Sequence, residues 1–71
     1  MDKKRDSAFA SSLRAERGRL DLSQVELARD IGVSVYSVQN WEDGATTPTL
    51  STAMRIADRL GVSLDKLAGR D

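Results

Sequence analysis

The sequence predicts a small all-α domain built from five short helices. Glycines stand at positions 18, 32, 44, 61 and 69, each just after a stretch of helical pattern. Glycine adopts a positive φ at little cost, so it commonly follows the last residue of a helix. A serine precedes four of the five stretches, where its hydroxyl can cap the N-terminus of a helix. Apolar residues recur at helical spacing, and no stretch shows the alternation that is typical of a strand.

The length of the chain and the residue types it lacks exclude several classes of protein. The 71 residues allow one domain, which we expect to span residues 7–69. The absence of cysteine and histidine excludes disulfides, the usual zinc sites and the common nucleophile–base pairs. No apolar run approaches the roughly 18 residues that a membrane span needs, and the first residues lack the apolar segment of a signal peptide. We therefore expect a cytoplasmic protein that does not insert in membranes, holds no cofactor or metal and is not an enzyme.

The first residues are charged and show no apolar pattern. Residues 1–6 are predicted to form a flexible basic arm, and Lys3–Arg5 is either a solvated tail or a contact for phosphate. The first helix is predicted over Ala8–Arg17, with Phe9 and Leu13 as its buried side chains and a glycine just beyond its end.

A helix-turn-helix is predicted at about residues 23–43. Ser23 can cap the first of its helices, and Glu26, three residues later, completes a capping box. A buried face at helical spacing follows, and Gly32 stands where a left-handed residue ends the helix. The small Ala28 lies where two helices nearly touch, which is typical of this motif.

Three further helices follow the turn. The second helix of the motif is predicted over residues 34–43, capped by Ser34, with Val38 and Trp41 directed inward. A fourth helix begins near Thr49, and Ser63 can cap a fifth. The side chains predicted to face the core from these two helices are Leu50, Ala53, Ile56, Ala57, Leu60, Leu64, Leu67 and Ala68.

Several motifs in register resemble the lambda-repressor-like family, the Cro and phage-repressor type of DNA-binding regulators. They cover roughly residues 8–69, and the segments that carry the resemblance are Leu13-Arg14-x-x-Arg17, Leu22-Ser23-Gln24, Trp41-Glu42-Asp43-Gly44, Pro48-Thr49-Leu50, Ile56-Ala57 and Leu60-Gly61-Val62-Ser63-Leu64. The resemblance implies a five-helix fold and a sequence-specific transcriptional regulator, acting as a repressor. Its partner would be double-stranded DNA with a pseudo-palindromic operator, bound by a homodimer on the nucleoid.

The resemblance also implies which residues bind DNA. The outward side of helix 34–43 would lie in the major groove, where amides can pair with adenine and an apolar side chain can touch a thymine methyl. In the family the position of Gln24 contacts phosphate and braces the reading helix. The residues predicted to bind DNA are Gln24, Ser34, Val35, Tyr36, Ser37, Gln39, Asn40, Thr46 and Thr47. Taken without the resemblance, the same polar side chains describe an ordinary solvated helix face and loop.

A structural ion pair between Arg17 and Glu42 is a further expectation from the resemblance. Relatives pair an arginine that ends helix 1 with a glutamate that ends helix 3, and both positions match here. The alternative is two exposed charges, worth under about 1 kcal/mol. Trp41 is predicted to lie in the core rather than to stack on a base.

The distribution of charge departs from that of many relatives. Eleven basic residues balance eleven acidic ones, and no lysine or arginine occurs between Asp30 and Met54. DNA-binding domains usually carry a basic excess. A second function class therefore stays open, in which the fold serves as a protein-interaction or antitoxin-type module with weak or no DNA binding.

Overall fold

Five α-helices make up the protein in the structure, a computed structural model that describes residues 7–70. They are α1 (Ala8–Arg19), α2 (Gln24–Ile31), α3 (Val35–Glu42), α4 (Leu50–Leu60) and α5 (Leu64–Leu67), and the described residues form no strand. The all-α, five-helix prediction is confirmed. The basic arm predicted at residues 1–6 lies outside the described residues.

Every helix begins after a hydroxyl residue that caps it. In each case the side-chain oxygen accepts a hydrogen bond from the backbone N–H three residues later, and the capping residues are Ser7, Ser23, Ser34, Thr49 and Ser63. The cap of α2 is reciprocal, because the Ser23 N–H also donates to Glu26 Oε1 at 2.9 Å. This backbone hydrogen bond, with that from the Ser23 side chain, lowers the pKa of Glu26 below its ordinary value of 4.5.

One apolar core joins all five helices. α3 packs against α1 and α2, α4 packs against α2, and α5 closes the bundle by contacting α1 and α4. The buried cluster consists of Leu13, Leu22, Leu27, Ala28, Ile31, Val38, Trp41, Ile56, Ala57, Leu60 and Leu67. Because α3 has core contacts with two helices, its remaining face is held in a fixed orientation at the surface.

The first helix ends later than predicted. Gly18 lies inside α1, and its φ is not positive, unlike those of the four other glycines. The chain instead reverses at Asp21, whose φ is 55°, after Leu20 has capped the helix. The Leu22 N–H donates to the Arg17 carbonyl at 3.0 Å, and Leu22 is buried, so the end of α1 is set by this anchor and not by the glycine.

Part of the predicted buried set is exposed. Leu50 is 66% exposed, since it lies in the first turn of α4, beyond the bundle core, and Leu64 is 36% exposed. In α1 the fully buried residue beside Leu13 is Ala10, and Phe9 is only partly buried against the core. Ala53 and Ala68 are half-buried. These side chains line an apolar groove between α1, α4 and α5 instead of filling the core, and its walls are Phe9, Thr47, Pro48, Leu50, Ala53, Leu64, Leu67 and Ala68.

Candidate nucleic-acid interface

The turn between α2 and α3 fixes the angle between the two helices. Gly32 ends α2 in the left-handed region with a φ of 77° and a ψ of 36°. The Val33 N–H then donates to the Ala28 carbonyl at 3.0 Å, and the Val33 side chain packs against the core. Ser34 caps α3 directly afterwards. With so few residues between the helices, α3 has little freedom to change its orientation.

α3 divides into a buried and an exposed side. Val38 and Trp41 are buried, whereas Gln39 and Asn40 are exposed and Tyr36 is 70% exposed. The exposed side offers two amides and a phenol, which are groups that can exchange hydrogen bonds with base edges and phosphates.

Three other predicted DNA contacts lie at the start of α3. Ser34 is exposed, and its Oγ accepts from the Ser37 N–H at 3.2 Å and lies 3.3 Å from Ser37 Oγ. Ser37 itself is half-buried. Val35 differs from the expectation of an outward side chain, because it is partly buried and packs against the core. Only part of the Val35 side chain is therefore accessible to a ligand.

A buried carboxylate links the end of α3 to α1 and α2. Glu42 is 5% exposed, and it accepts from Arg17 Nε at 2.6 Å and from Arg17 Nη2 at 3.0 Å. Gln24 Nε2 donates to the same carboxylate at 3.0 Å. The hydrogen bond from Arg17 to Glu42 raises the pKa of the arginine, although its partial burial acts in the opposite direction. Gln24 is thereby held against the last residue of α3.

Arg14 is not among the residues predicted for the site, yet the structure places it at the end of α3. Arg14 Nη1 donates to the carbonyl oxygen of Glu42, and Nη2 lies 3.4 Å from Ser11 Oγ. Arg14 precedes Arg17 by three residues, and side chains three apart on a helix are neighbours. That spacing is the signal that could have located it.

Two more arginines cap helices other than their own. A guanidinium N–H donates to a carbonyl at the C-terminal end of α2 at 2.8 Å and of α4 at 3.1 Å, and the donor–acceptor pairs are Arg55–Ile31 and Arg19–Leu60. Cations are favoured at these ends, where the helix carries a partial negative charge. These guanidinium groups therefore help to hold the bundle together.

A polar recess brings three of the nine predicted DNA-binding residues together. It has a volume of about 540 Å³ and is lined by Arg14, Gln24, Gln39, Asn40, Glu42 and Asp43. Thr46 and Thr47 are exposed in the loop after α3, but neither lines this recess, and Thr47 lines the apolar groove instead. The structure therefore brings the amides of α2 and α3 together and leaves the two threonines apart from them.

Other kinds of site find no support in the part of the chain that the structure describes. Residues 7–70 contain no group of three or more acidic side chains arranged to hold a metal ion. Within the same range, no helix has the length and apolar character required to cross a bilayer.

Comparison with known proteins points in one direction. The model of the helix-turn-helix family matches residues 13–67. The cryptic phage CTXphi transcriptional repressor RstR of Vibrio cholerae is 36% identical over 55 residues, which are 78% of this chain and 49% of that protein. The chain thus spans about half the length of this relative.

A solved structure shows the same fold. The structure titled "Crystal Structure of Apo-HppE" superposes with a TM-score of 0.79 at 32% sequence identity. The similarity covers 86% of this chain and 34% of the other. The same helical arrangement therefore also occurs as a minor part of a longer protein.

Proposed function

The chain belongs to the lambda-repressor-like helix-turn-helix family, and from this we propose that it is a sequence-specific DNA-binding transcriptional repressor that reads the major groove with α3. The exposed side of α3 carries this proposal. Val38 and Trp41 anchor the helix, and Gln39 and Asn40 are left accessible next to a polar recess. The similar phage protein is named as a transcriptional repressor, which favours repression over activation.

The chemistry of each element suits a role on DNA. The major groove admits an α-helix, and asparagine or glutamine can pair with adenine through two hydrogen bonds. At the start of α2, Gln24 and unpaired backbone N–H groups can bind phosphate, because helix N-termini attract anions. Exposed Tyr36 can donate to phosphate. We propose that the protein acts on the bacterial or phage chromosome in the cytoplasm, without cofactor and without catalysis.

The test of this proposal is selection of bound sequences from a random DNA pool. A regulator should prefer its selected site over scrambled duplex by about a thousandfold or more. Gln39→Ala and Asn40→Ala should each cost about 1–3 kcal/mol of binding and relax the preference at one base pair. Both residues are exposed, so the melting temperature of each variant should stay close to that of the wild type.

Val25→Ala is a matched control, because Val25 is an exposed residue of α2 outside the recess. It should retain the wild-type preference. Failure of the folded protein to select any duplex, with weak or no binding throughout, would contradict the regulator proposal. That result would favour the protein-interaction or antitoxin-type alternative, with which the lack of lysine and arginine between Asp30 and Met54 agrees.

We further propose that the protein binds a pseudo-palindromic operator as a homodimer. A single copy offers few cationic groups to phosphate, and two linked copies raise the effective affinity. The apolar groove between α1, α4 and α5 has no charged side chain among its lining residues, and it exposes Leu50 and Leu64. It would be the contact surface for the second copy, leaving α3 accessible. Half-sites would then lie about 34–36 Å apart.

Charge placed in this groove should separate the copies. Leu50→Lys should shift the sedimentation-equilibrium mass from dimer toward monomer, and it should leave the fold intact because Leu50 is already 66% exposed. Val25→Lys introduces the same charge at an exposed position outside the groove and should not change the mass. A wild-type protein that stays monomeric with and without operator would rule out the homodimer.

A further inference from the structure

Arg14 is held at the C-terminal end of α3 by hydrogen bonds to neutral oxygen atoms, which do not neutralise its positive charge. Its Nη1 donates to the Glu42 carbonyl, and Nη2 lies 3.4 Å from Ser11 Oγ. Both partners are uncharged. A guanidinium has five N–H groups in a planar fork. These contacts with described residues engage at most two of the five, which leaves other N–H groups that can donate to a ligand.

Three other arginines of the domain are each paired with a carboxylate. The pairs and their distances are Arg17–Glu42 at 2.6 Å, Arg19–Glu16 at 2.6 Å and Arg59–Asp30 at 2.7 Å. An arginine that already faces a carboxylate gains less from a phosphate. Arg14 differs from these three, because the hydrogen bonds that position it involve neutral oxygens.

The position of Arg14 connects it to the candidate reading surface. Arg14 is exposed, and it is the cationic side chain among the six residues that line the polar recess. Gln24 at the start of α2 and Gln39 and Asn40 on α3 line the same recess. A phosphate in contact with Arg14 would therefore lie next to both the start of α2 and the reading helix.

We propose that Arg14 is a DNA-phosphate contact that fixes the position of α3 on the duplex. This inference rests on the proposed function. Phosphate contacts set register and orientation, and base contacts set sequence preference. Since Arg14 is tied to the last carbonyl of α3, a phosphate bound to it holds that end of the helix relative to the DNA backbone. Arg14 supplies a cationic contact that the stretch between Asp30 and Met54 lacks.

The test is a fluorescence-anisotropy titration of the selected duplex over a salt series. Each neutralised phosphate contributes about −0.9 to the slope of log affinity against log salt. Arg14→Gln should make this slope less negative by about one for each subunit. The affinity of the variant is then lowest relative to wild type at low salt, and the difference in affinity narrows about 3.5-fold per subunit between 50 and 200 mM salt. The ratio of selected to scrambled duplex should stay the same.

Two variants separate phosphate contact from structural capping. Arg14→Lys keeps the charge and should keep the slope. Arg59→Gln removes the same charge outside the recess and should leave the slope unchanged.

Two results would overturn the inference. If Arg14→Gln binds the selected site with the wild-type slope, Arg14 is only a cap, and the regulator proposal is unaffected. If folded wild-type protein selects no duplex, the regulator proposal fails and this inference fails with it.

Discussion

Replacement of Arg17 with alanine should lower the free energy of unfolding by about 3–5 kcal/mol. Glu42 is 5% exposed, and Arg17 supplies two of the three side-chain hydrogen bonds shown to its carboxylate. Removing one partner of a buried pair leaves an uncompensated charge, which costs about this much. A 71-residue domain has a total stability of roughly 4–11 kcal/mol. The variant should therefore melt about 12 °C or more below the wild type.

A double-mutant cycle with Glu42→Ala measures how far the two side chains act together. The double variant should be destabilised by less than the sum of the single variants, with a coupling energy of about 1 kcal/mol or more. Arg59→Ala is the control, because its pair with Asp30 is more than a third exposed on both sides. Removing that pair should cost under about 1 kcal/mol. Zero coupling between Arg17 and Glu42 would mean that the pair contributes no specific stability.

The ion pair between Arg17 and Glu42 also affects the candidate site. Glu42 also accepts from Gln24, and its backbone carbonyl accepts from Arg14. One residue at the end of α3 therefore orients two side chains of the recess. Loss of Glu42 should weaken DNA binding even under conditions in which the protein stays folded.

The helices could be predicted from sequence because their ends depend on local chemistry. Ser23 with Glu26 forms a capping box from four consecutive residues, and Gly32 supplies the left-handed residue that closes α2. Hydrogen bonds of this kind involve residues close together in the chain. Their presence therefore follows from the pattern without knowledge of the tertiary structure.

The errors in the fold prediction occur where tertiary contacts decide. Gly18 satisfies the local pattern for a helix end, yet burial of Leu22 determines where α1 stops. Leu50 fits the apolar periodicity of α4, but the core does not reach the first turn of that helix. A pattern records which residues share a face and does not record how far the neighbouring helices extend.

In the candidate site, too, features set by local pattern could be predicted and features set by tertiary contacts could not. The exposed positions of Gln39 and Asn40 follow from the inward stripe of Val38 and Trp41. The contact of Arg14 with the Glu42 carbonyl joins residues 28 positions apart, and a backbone acceptor has no side-chain identity to recognise in a sequence. The spacing from Arg17 indicates which face of α1 carries Arg14, but the contact of Arg14 with a backbone carbonyl becomes visible only in the structure.

Replacement of Trp41 with alanine should destabilise the domain by about 3–5 kcal/mol. Trp41 is 6% exposed and belongs to the buried cluster that joins all five helices. A truncated tryptophan leaves a cavity that the surrounding side chains fill only in part, and losses of this size are typical. Thermal melting followed by circular dichroism at a helical wavelength measures the loss without the tryptophan signal.

Two variants show whether the cost of Trp41→Ala comes from the core. Trp41→Phe keeps an aromatic ring in the cluster and should retain much of the stability. Tyr36→Ala truncates the other aromatic side chain of α3, which is 70% exposed, and should change stability by no more than about 0.5 kcal/mol. A side chain that stacks on DNA would show the opposite behaviour, with stability kept and binding lost. If Trp41→Ala melts like the wild type and binds its duplex weakly, Trp41 belongs to the interface and not to the core.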